Sequence, residues 1–452
     1  MTECTQNSFE FESHFSREVV ARFDGGTLTS DGGGLLLREV DRRIHLMTRL
    51  AECFDDRRNP LLVRHQVQEM VAQRVYGLAL GYEDLNDHDQ LREDPLLAVL
   101  SGKKRVGEAP LAGKSTLNRL ELSGERPSRY KKVHCRQEAV DELLVDLYLE
   151  AHDEPPELIV LDLDVTDLPL HGHQEGRFFH GYYDEYCYLP LYVFAGEHLL
   201  CARLRTAGQD AAAGSREEVE RIVGQIRRQW PEARIVVRAD SGFCREELME
   251  WCESHEVGYV LGFARSGRLR GLIAPQMEEA ARMQQATGKP ARVFTEFEFQ
   301  TTTGSWSQAR RVVAKAEQIE GKENPRYVVT NLSAEQWPPQ RLYEELYCAR
   351  GEMENRIKEQ LSLFAARVSA ESMKANQIRV NLAACAYVLI HALRRLGLKG
   401  TEMERAQATT IRLRLLKIGA RIRITARKVW LSMASGFPLR GLFEQAWTQL
   451  RC

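Results

Sequence analysis

Three acidic residues in this chain stand where simple reasons for them run short. Asp162 and Asp164 sit two apart in Leu158-Ile-Val-Leu-Asp-Leu-Asp-Val165, a run that otherwise reads as a buried strand. Side chains two apart on a strand share a face, so both carboxylates point one way while Leu161, Leu163 and Val165 point the other. Asp240 closes a second strand-like run, Arg234-Ile-Val-Val-Arg-Ala-Asp240, just before Ser-Gly. That places it at the carboxyl end of a predicted sheet, where α/β folds gather their chemistry, although a turn or helix cap also uses a strand-end Asp. A buried carboxylate costs several kcal/mol unless it is paired or holds a metal.

A helical stretch offers a further acid. Tyr347, Arg350, Glu354 and Lys358 are spaced 3, 4 and 4, which on a regular helix confines them to a stripe about 80° wide. Glu352 points away from that stripe. A solvated helix face with a Glu354–Lys358 pair has the same pattern. Three carboxylates on one side form a hard-cation site for Mg²⁺ or Mn²⁺. Like charges about 4 Å apart repel by about 4 kcal/mol at an effective dielectric near 20, so such a cluster needs cations to hold together. Two divalent ions against three carboxylates leave a positive centre suited to a phosphodiester, one activating the nucleophile and one stabilising the leaving oxygen. Arg350 and Lys358 are then placed to hold phosphates.

The elements that must position these groups follow from the patterning. Residues 1–135 read as a mainly helical N-terminal unit. A strand is predicted at Ser16–Phe23, a helix through Leu35–Asp41 capped by Thr29, Ser30 or Asp31, and amphipathic helices at 61–82 and 86–100. The polar, basic stretch from Gly102 to Arg129 marks a boundary. Within it, Gly113-Lys114-Ser115-Thr116 resembles a phosphate-binding loop, but the upstream glycine is missing at its required offset and no strand precedes it.

From 150 to 264 the order is three strands, helix, strand, helix, strand, an α/β layer with a mixed sheet. Residues 265–330 are β-rich, with runs at Val293–Thr303, Gln308–Ala316 and Arg326–Asn331. A long helix is predicted from Pro339 to Phe364, within a segment 331–390.

The net charge of −2 hides an asymmetry. From His391 to Cys452 there are thirteen Lys and Arg against three Glu. A basic terminal region is the footprint of a polyanion partner, or simply a solvated surface. Thr410–Lys417 and Arg421–Arg427 alternate as two strands of a hairpin. Arg412 and Arg414 share one face and Arg421, Arg423 and Arg427 another, a cationic ribbon able to touch a phosphate backbone or to face solvent.

Other classes fall away. The longest nearly unbroken apolar run, Leu382–Ile390, is half the length of about 20 residues that a membrane span needs. No secretory signal opens the chain. The ten cysteines include no C-x-x-C pair, which fits reduced thiols in a cytosolic protein. His171, His173 and His180 lack the paired spacing of a zinc site.

In these residues the chain resembles insertion-sequence transposases of the DDE type, in the group numbered thirteen-eighty, near the branch with a Tyr-x₂-Arg-x₃-Glu signature. The likeness lies in Asp31–Glu39, Tyr76–Asp87, Lys114–Arg119, Asp162–Asp167, His171–Gly176, Gly181–Leu191, Arg238–Phe243, Tyr347–Gln360, Asn376–Arg379 with Ala386-Tyr387, and Arg412–Lys428.

The resemblance implies an RNase H-like catalytic core interrupted by a β-rich insertion at 265–330, with a helical N-terminal domain and a basic C-terminal region. By position it makes Asp164 (followed by x-Thr166) the first acid, Asp240 the second and Glu354 the third, with Asp162 as rival for the first place. The implied cofactors are two Mg²⁺ or Mn²⁺ ions. The implied partners are terminal inverted repeats and target DNA, bound by a homodimer in a synaptic complex inside a prokaryotic cytoplasm. Trp306, in the insertion, is either an ordinary core or surface aromatic, the favoured reading, or a side chain that stacks on an extruded base as in similar enzymes. One departure is Leu361, where the wider branch has Lys; Lys358 is its nearest substitute. The expected activity is metal-dependent end cleavage and strand transfer. The alternatives are a non-catalytic DNA-binding repressor and a general nuclease of the same fold.

Overall fold

The computed structural model describes residues 8–122, 131–302 and 304–451. Residues 123–129 of the predicted boundary stretch, and Cys4 and Cys452, lie outside them. The chain forms two compact units, residues 135–384 and residues 1–134 with 385–452. The second unit therefore joins the two ends of the chain, so the basic C-terminal region packs with the N-terminal helices.

Among the described residues, the 135–384 unit is built on a nine-stranded mixed sheet. Its main strands are β1 (Ile159–Val165), β2 (Leu191–Ala195), β3 (His198–Arg203), β4 (Ile235–Ala239), β5 (Gly258–Phe263), β6 (Ala291–Phe299), β7 (Arg310–Ile319) and β8 (Arg326–Thr330). Their order across the sheet is β3-β2-β1-β4-β5-β8-β7-β6. β1, β4 and β5 run parallel, and all other neighbours are antiparallel.

Alternation along the strands divides two cores. On one face, Leu161, Leu163, Val237, Ala239 and Leu261 pack against helices α1 (Gln137–Leu149), α2 (Ser215–Gln229), α3 (Glu246–Ser254) and α4 (Ala274–Thr287). α2 shows why: Val219, Ile222, Val223 and Ile226 recur every three or four residues and are buried. Glu217 and Glu218 in its first turn and Arg227 and Arg228 in its last complement the helix dipole. On the other face, Val236, Val260, Val313 and Val328 pack under Leu342, Tyr343 and Leu346.

The segment over that second face is helical, as predicted, but not regular. A wide π turn over Leu342–Tyr347 is followed by a tight 3-10 turn at Cys348–Arg350, and helix α5 then runs Gly351–Ser362. A wide turn followed by a tight one nearly restores the phase of an unbroken helix, so Tyr347, Arg350 and Glu354 still share a side. Helix α6 (Met373–Gly397) then carries the chain out of the unit. The strands of 265–330 do exist, but they prolong the sheet through β5–β8 pairing, accompanied by α4.

In the other unit, helices at Gly34–Ile44, Leu46–Glu52, Val67–Leu80, Pro95–Leu100, Lys114–Glu121 and Arg440–Arg451 surround buried leucines and valines. Ser16–Phe23 becomes the strand Arg17–Ala21, paired with Phe9–His14. The first helix is capped by Gly33, without a side-chain bond. Asp31 instead accepts from Tyr82 (2.6 Å) and Lys417 (2.5 Å).

The predicted hairpin needs correcting. Residues 408–416 are helical, and the ribbon pairs β9 (Ala420–Ile424) with β10 (Val429–Met433), with Leu28–Thr29 as a third strand. Ile-Arg-Leu-Arg-Leu-Leu fits both a two-residue period and a helical one. The burial of Ala408, Ile411 and Leu415, three and four apart, shows that the helical period wins.

Candidate active site

The register of β1 and β4 sets the site. Asp162 lies opposite Arg238 and Leu163 opposite Ala239 in this parallel pair. Asp164 is the next residue along β1, and Asp240 is the first residue past the end of β4; neighbouring strands lie about 4.8 Å apart. Both strands turn Asp162, Asp164, Arg238 and Asp240 toward the side covered by Leu342–Tyr347, since the intervening Leu161, Leu163, Val237 and Ala239 fill the opposite core. Beyond Ala239 the chain leaves the strand, and the Asp240 carboxylate caps a short 3-10 turn by accepting the Gly242 amide at 2.8 Å.

The row continues onto β5 at Gly262, a residue that sequence reasoning missed. A Cβ at this position would lie 2.7 Å from the Tyr347 hydroxyl oxygen, 2.8 Å from the Ser241 nitrogen and 3.1 Å from the Asp240 carbonyl carbon. Glycine inside a strand signals close approach of other groups, and here that approach is made by Tyr347 and the Asp240 turn. That signal was present in Gly258-Tyr-Val-Leu-Gly-Phe263.

Arg350 connects the helical segment to the strands. Its guanidinium lies 3.0 Å from the Asp164 carboxylate and 3.8 Å from that of Glu354. Burial raises the Asp164 pKa to about 6; Arg350 opposes the rise, while Asp240 and Glu354 add to it by repulsion. Burial works against the charge on Arg350, but Asp164, Tyr347, Asp240 and Glu354 together outweigh it and hold the guanidinium above its ordinary range. Burial, then the charge of Asp240, raises the Tyr347 phenol against the pull of Arg350. The predicted acids and the Tyr-x₂-Arg-x₃-Glu residues thus share one electrostatic environment.

Asp162 is placed differently. It is buried and bound by both Arg238 Nε (2.5 Å) and Nη2 (2.7 Å), while Arg238 Nη1 donates to the Leu346 carbonyl at 2.5 Å. Thr166 is half-buried just past β1, and Lys358 is exposed on α5. Trp306 is 4 % exposed and packs its ring on Phe263 and Phe299, with Arg310 at 5.6 Å, so it has no free face for a base. His171 and His173 are exposed and His180 is half-buried.

Arg412, predicted to face DNA, is instead 8 % exposed. It donates to the Ala79 carbonyl and lays its stem against Gly81, because the helical period turns it inward. Arg414, Arg421, Arg423 and Arg427 are exposed. Lys114 of the false phosphate loop pairs with Asp89 at 3.0 Å.

The donor chemistry suits hard cations, since Asp164, Asp240 and Glu354 offer carboxylate oxygens only. Among the described residues no three His, Cys, Asp or Glu side chains already converge on one point. Arg350, spanning Asp164 and Glu354, holds their charges in its place. No helix of the described residues is long and apolar enough to cross a membrane.

Sequence comparison gives the family. The model described as Transposase DDE domain group 1 matches residues 11–452, and the chain belongs to that transposase family. Among solved structures, the piggyBac transposase synaptic complex with hairpin DNA is similar at 10% identity and a TM-score of 0.39, over 94% of this chain and 81% of that one. No curated protein sequence matches.

Proposed function

We propose that this chain cleaves the ends of a DNA element and joins them to target DNA, with Asp164, Asp240 and Glu354 as its catalytic acids. The observation that carries this is the position of Asp164 on β1 and of Asp240 one residue past the end of the neighbouring parallel strand β4, with Glu354 tied to Asp164 through Arg350. An RNase H-like core is supported by the sheet order β3-β2-β1-β4-β5, in which only β2 is reversed.

The three carboxylates would hold two Mg²⁺ or Mn²⁺ ions, which when bound activate an attacking water or 3′-hydroxyl and stabilise the leaving oxygen. To serve there, Asp164 gives up its proton and its bond to Arg350. The released guanidinium is then free to take a phosphate in bidentate fashion. Tyr347, wedged over Gly262, fixes the Asp240 side of the site, and Lys358 on the same helix adds charge for the DNA backbone. Arg414, Arg421, Arg423 and Arg427 supply cations for the terminal inverted repeats, and a homodimer would pair two ends.

The test is Asp240→Asn. End cleavage should vanish while end binding persists. Cleavage retained in this variant, or cutting by the wild type without regard to end sequence, would refute the reading.

A further inference from the structure

The β9–β10 ribbon carries a feature that its cations alone do not explain. Arg421 and Arg423 lie on one face of β9, and in register they oppose Ser432 and Trp430 on β10. Directly opposed residues in an antiparallel pair share a face, so Trp430 stands in the middle of the cationic surface. It is 47% exposed, an unusual state for the largest apolar side chain. The Arg423 guanidinium lies 5.9 Å from its ring centre and the Lys428 ammonium 5.0 Å.

Three further facts restrict what this surface fits. The third strand, Leu28–Thr29, pairs only with Ala420 and Arg421, so the distal part of the ribbon is two strands wide. Every residue from Arg423 to Trp430 is exposed, although the Ile424 side chain lies beside Gly107. Residues 420–433 contain four cations and no carboxylate. Among the described residues none of Arg421, Arg423, Arg427 and Lys428 is ion-paired with a carboxylate, so no acid neutralises these four charges.

We propose that this ribbon tip enters the major groove of duplex DNA, with Trp430 as the side chain that packs on the bases and Arg421, Arg423, Arg427 and Lys428 on the flanking phosphates. A major groove about 12 Å wide admits a two-stranded β-ribbon. Phosphate contacts supply affinity and salt dependence, and apolar contact with base edges supplies the part that salt does not touch. An exposed indole between two cations suits both demands at once. The assignment rests on the transposase reading and adds to it a residue that no motif suggested.

The experiment measures binding by the full-length protein, without divalent ions, to a short fluorescein-labelled duplex and to its single strand across a salt series. Trp430→Ala should weaken duplex binding about tenfold with the salt slope unchanged, and Trp430→Phe should stay within about threefold of wild type. Arg423→Gln with Lys428→Gln should lower the log–log salt slope by about 2. Methylation of guanine N7, which lies in the major groove, should interfere with wild-type binding. All these side chains are exposed, so the variants should melt as wild type does.

Wild-type-like binding by the variants, indifference to N7 methylation, or preference for the single strand would overturn the ribbon assignment and leave the carboxylate site standing. Self-association lost in Trp430→Ala, with DNA binding intact, would assign the face to a second copy and overturn it too. A wild-type protein with no affinity for any duplex would instead remove the transposase reading itself.

Discussion

Arg238 faces Asp162 across two parallel strands, engages both of its carboxylate oxygens, and uses its remaining nitrogen to hold the carbonyl of Leu346. One buried ion pair therefore joins the strands carrying Asp164 and Asp240 to the segment carrying Arg350 and Glu354. Removing one partner of a buried pair costs about 3–5 kcal/mol, because the other is left charged and unsolvated. Arg238→Met should lower unfolding free energy by that order in denaturant titration. The double variant Arg238→Met with Asp162→Leu should recover much of the loss. Asp164→Asn, by contrast, should abolish cleavage with little change in stability. If Asp162→Asn behaves like Asp164→Asn, with cleavage lost and stability kept, then Asp162 is a ligand and not a clamp.

Asp164 lends the site a pH signature. Its pKa is raised to about 6 from an ordinary 3.8, so the folded chain holds a proton there more tightly than the unfolded chain does. The stability it contributes is present below about pH 4 and lost as pH rises through about 6. Metal binding needs the ionised form, so affinity for Mn²⁺ should climb as pH rises through 6. Arg350 holds this pKa down; Arg350→Gln should therefore move the rising limb to higher pH. A limb that stays in place, or moves to lower pH, would show that Asp164 is not the group titrating.

Gly262 offers a steric test. Its substitution by Ala would set a methyl group 2.7 Å from the Tyr347 hydroxyl and 2.8 Å from the Ser241 nitrogen. Either Tyr347 or the Asp240 turn must shift, and misplacement by about 1 Å can cost 10²-fold in rate. Gly262→Ala should lower the cleavage rate by about that factor. The companion Gly262→Ala with Tyr347→Phe, which removes the nearest atom, should regain part of it.

His88 provides a control outside the site. It is buried, with Gln73 and Arg74 each 3.0 Å from its ring nitrogens. Burial, then the charge of Arg74, lowers its pKa to about 3 from 6.5. A depressed histidine contributes stability that is present above about pH 6.5 and lost as pH falls toward 3, amounting to about 2 kcal/mol by pH 5. The raised carboxyls of Asp164 and Asp141 work the other way in this range, so the effect is read as a difference: between pH 7 and 5 the wild type should lose about 2 kcal/mol relative to His88→Gln.

How far the residues alone reveal this arrangement depends on the range of the interactions. The strands holding Asp164, Asp240 and Gly262 were legible because period-two burial is local. So was the phase of Tyr347, Arg350 and Glu354, despite the π and 3-10 turns between them. The Arg238–Asp162 clamp was not, because a cross-strand pair 76 positions apart depends on register. Arg412 was misread because its alternating surroundings satisfy two periods, and only packing against Ala79 and Gly81 chooses between them. For Trp306 the favoured reading of an ordinary packed aromatic agrees with its place between Phe263 and Phe299, though a polar loop gives no local sign of which residues enclose it.

The claim that most needs a direct measurement is that Asp164, Asp240 and Glu354 act together as ligands. Mn²⁺ binding followed by electron paramagnetic resonance, on the full chain with bound end DNA, reads this without relying on turnover. The wild type should bind two ions, and Asp164→Asn, Asp240→Asn and Glu354→Gln should each lose at least one while still holding DNA. Equal Mn²⁺ binding in the wild type and all three variants would contradict the account.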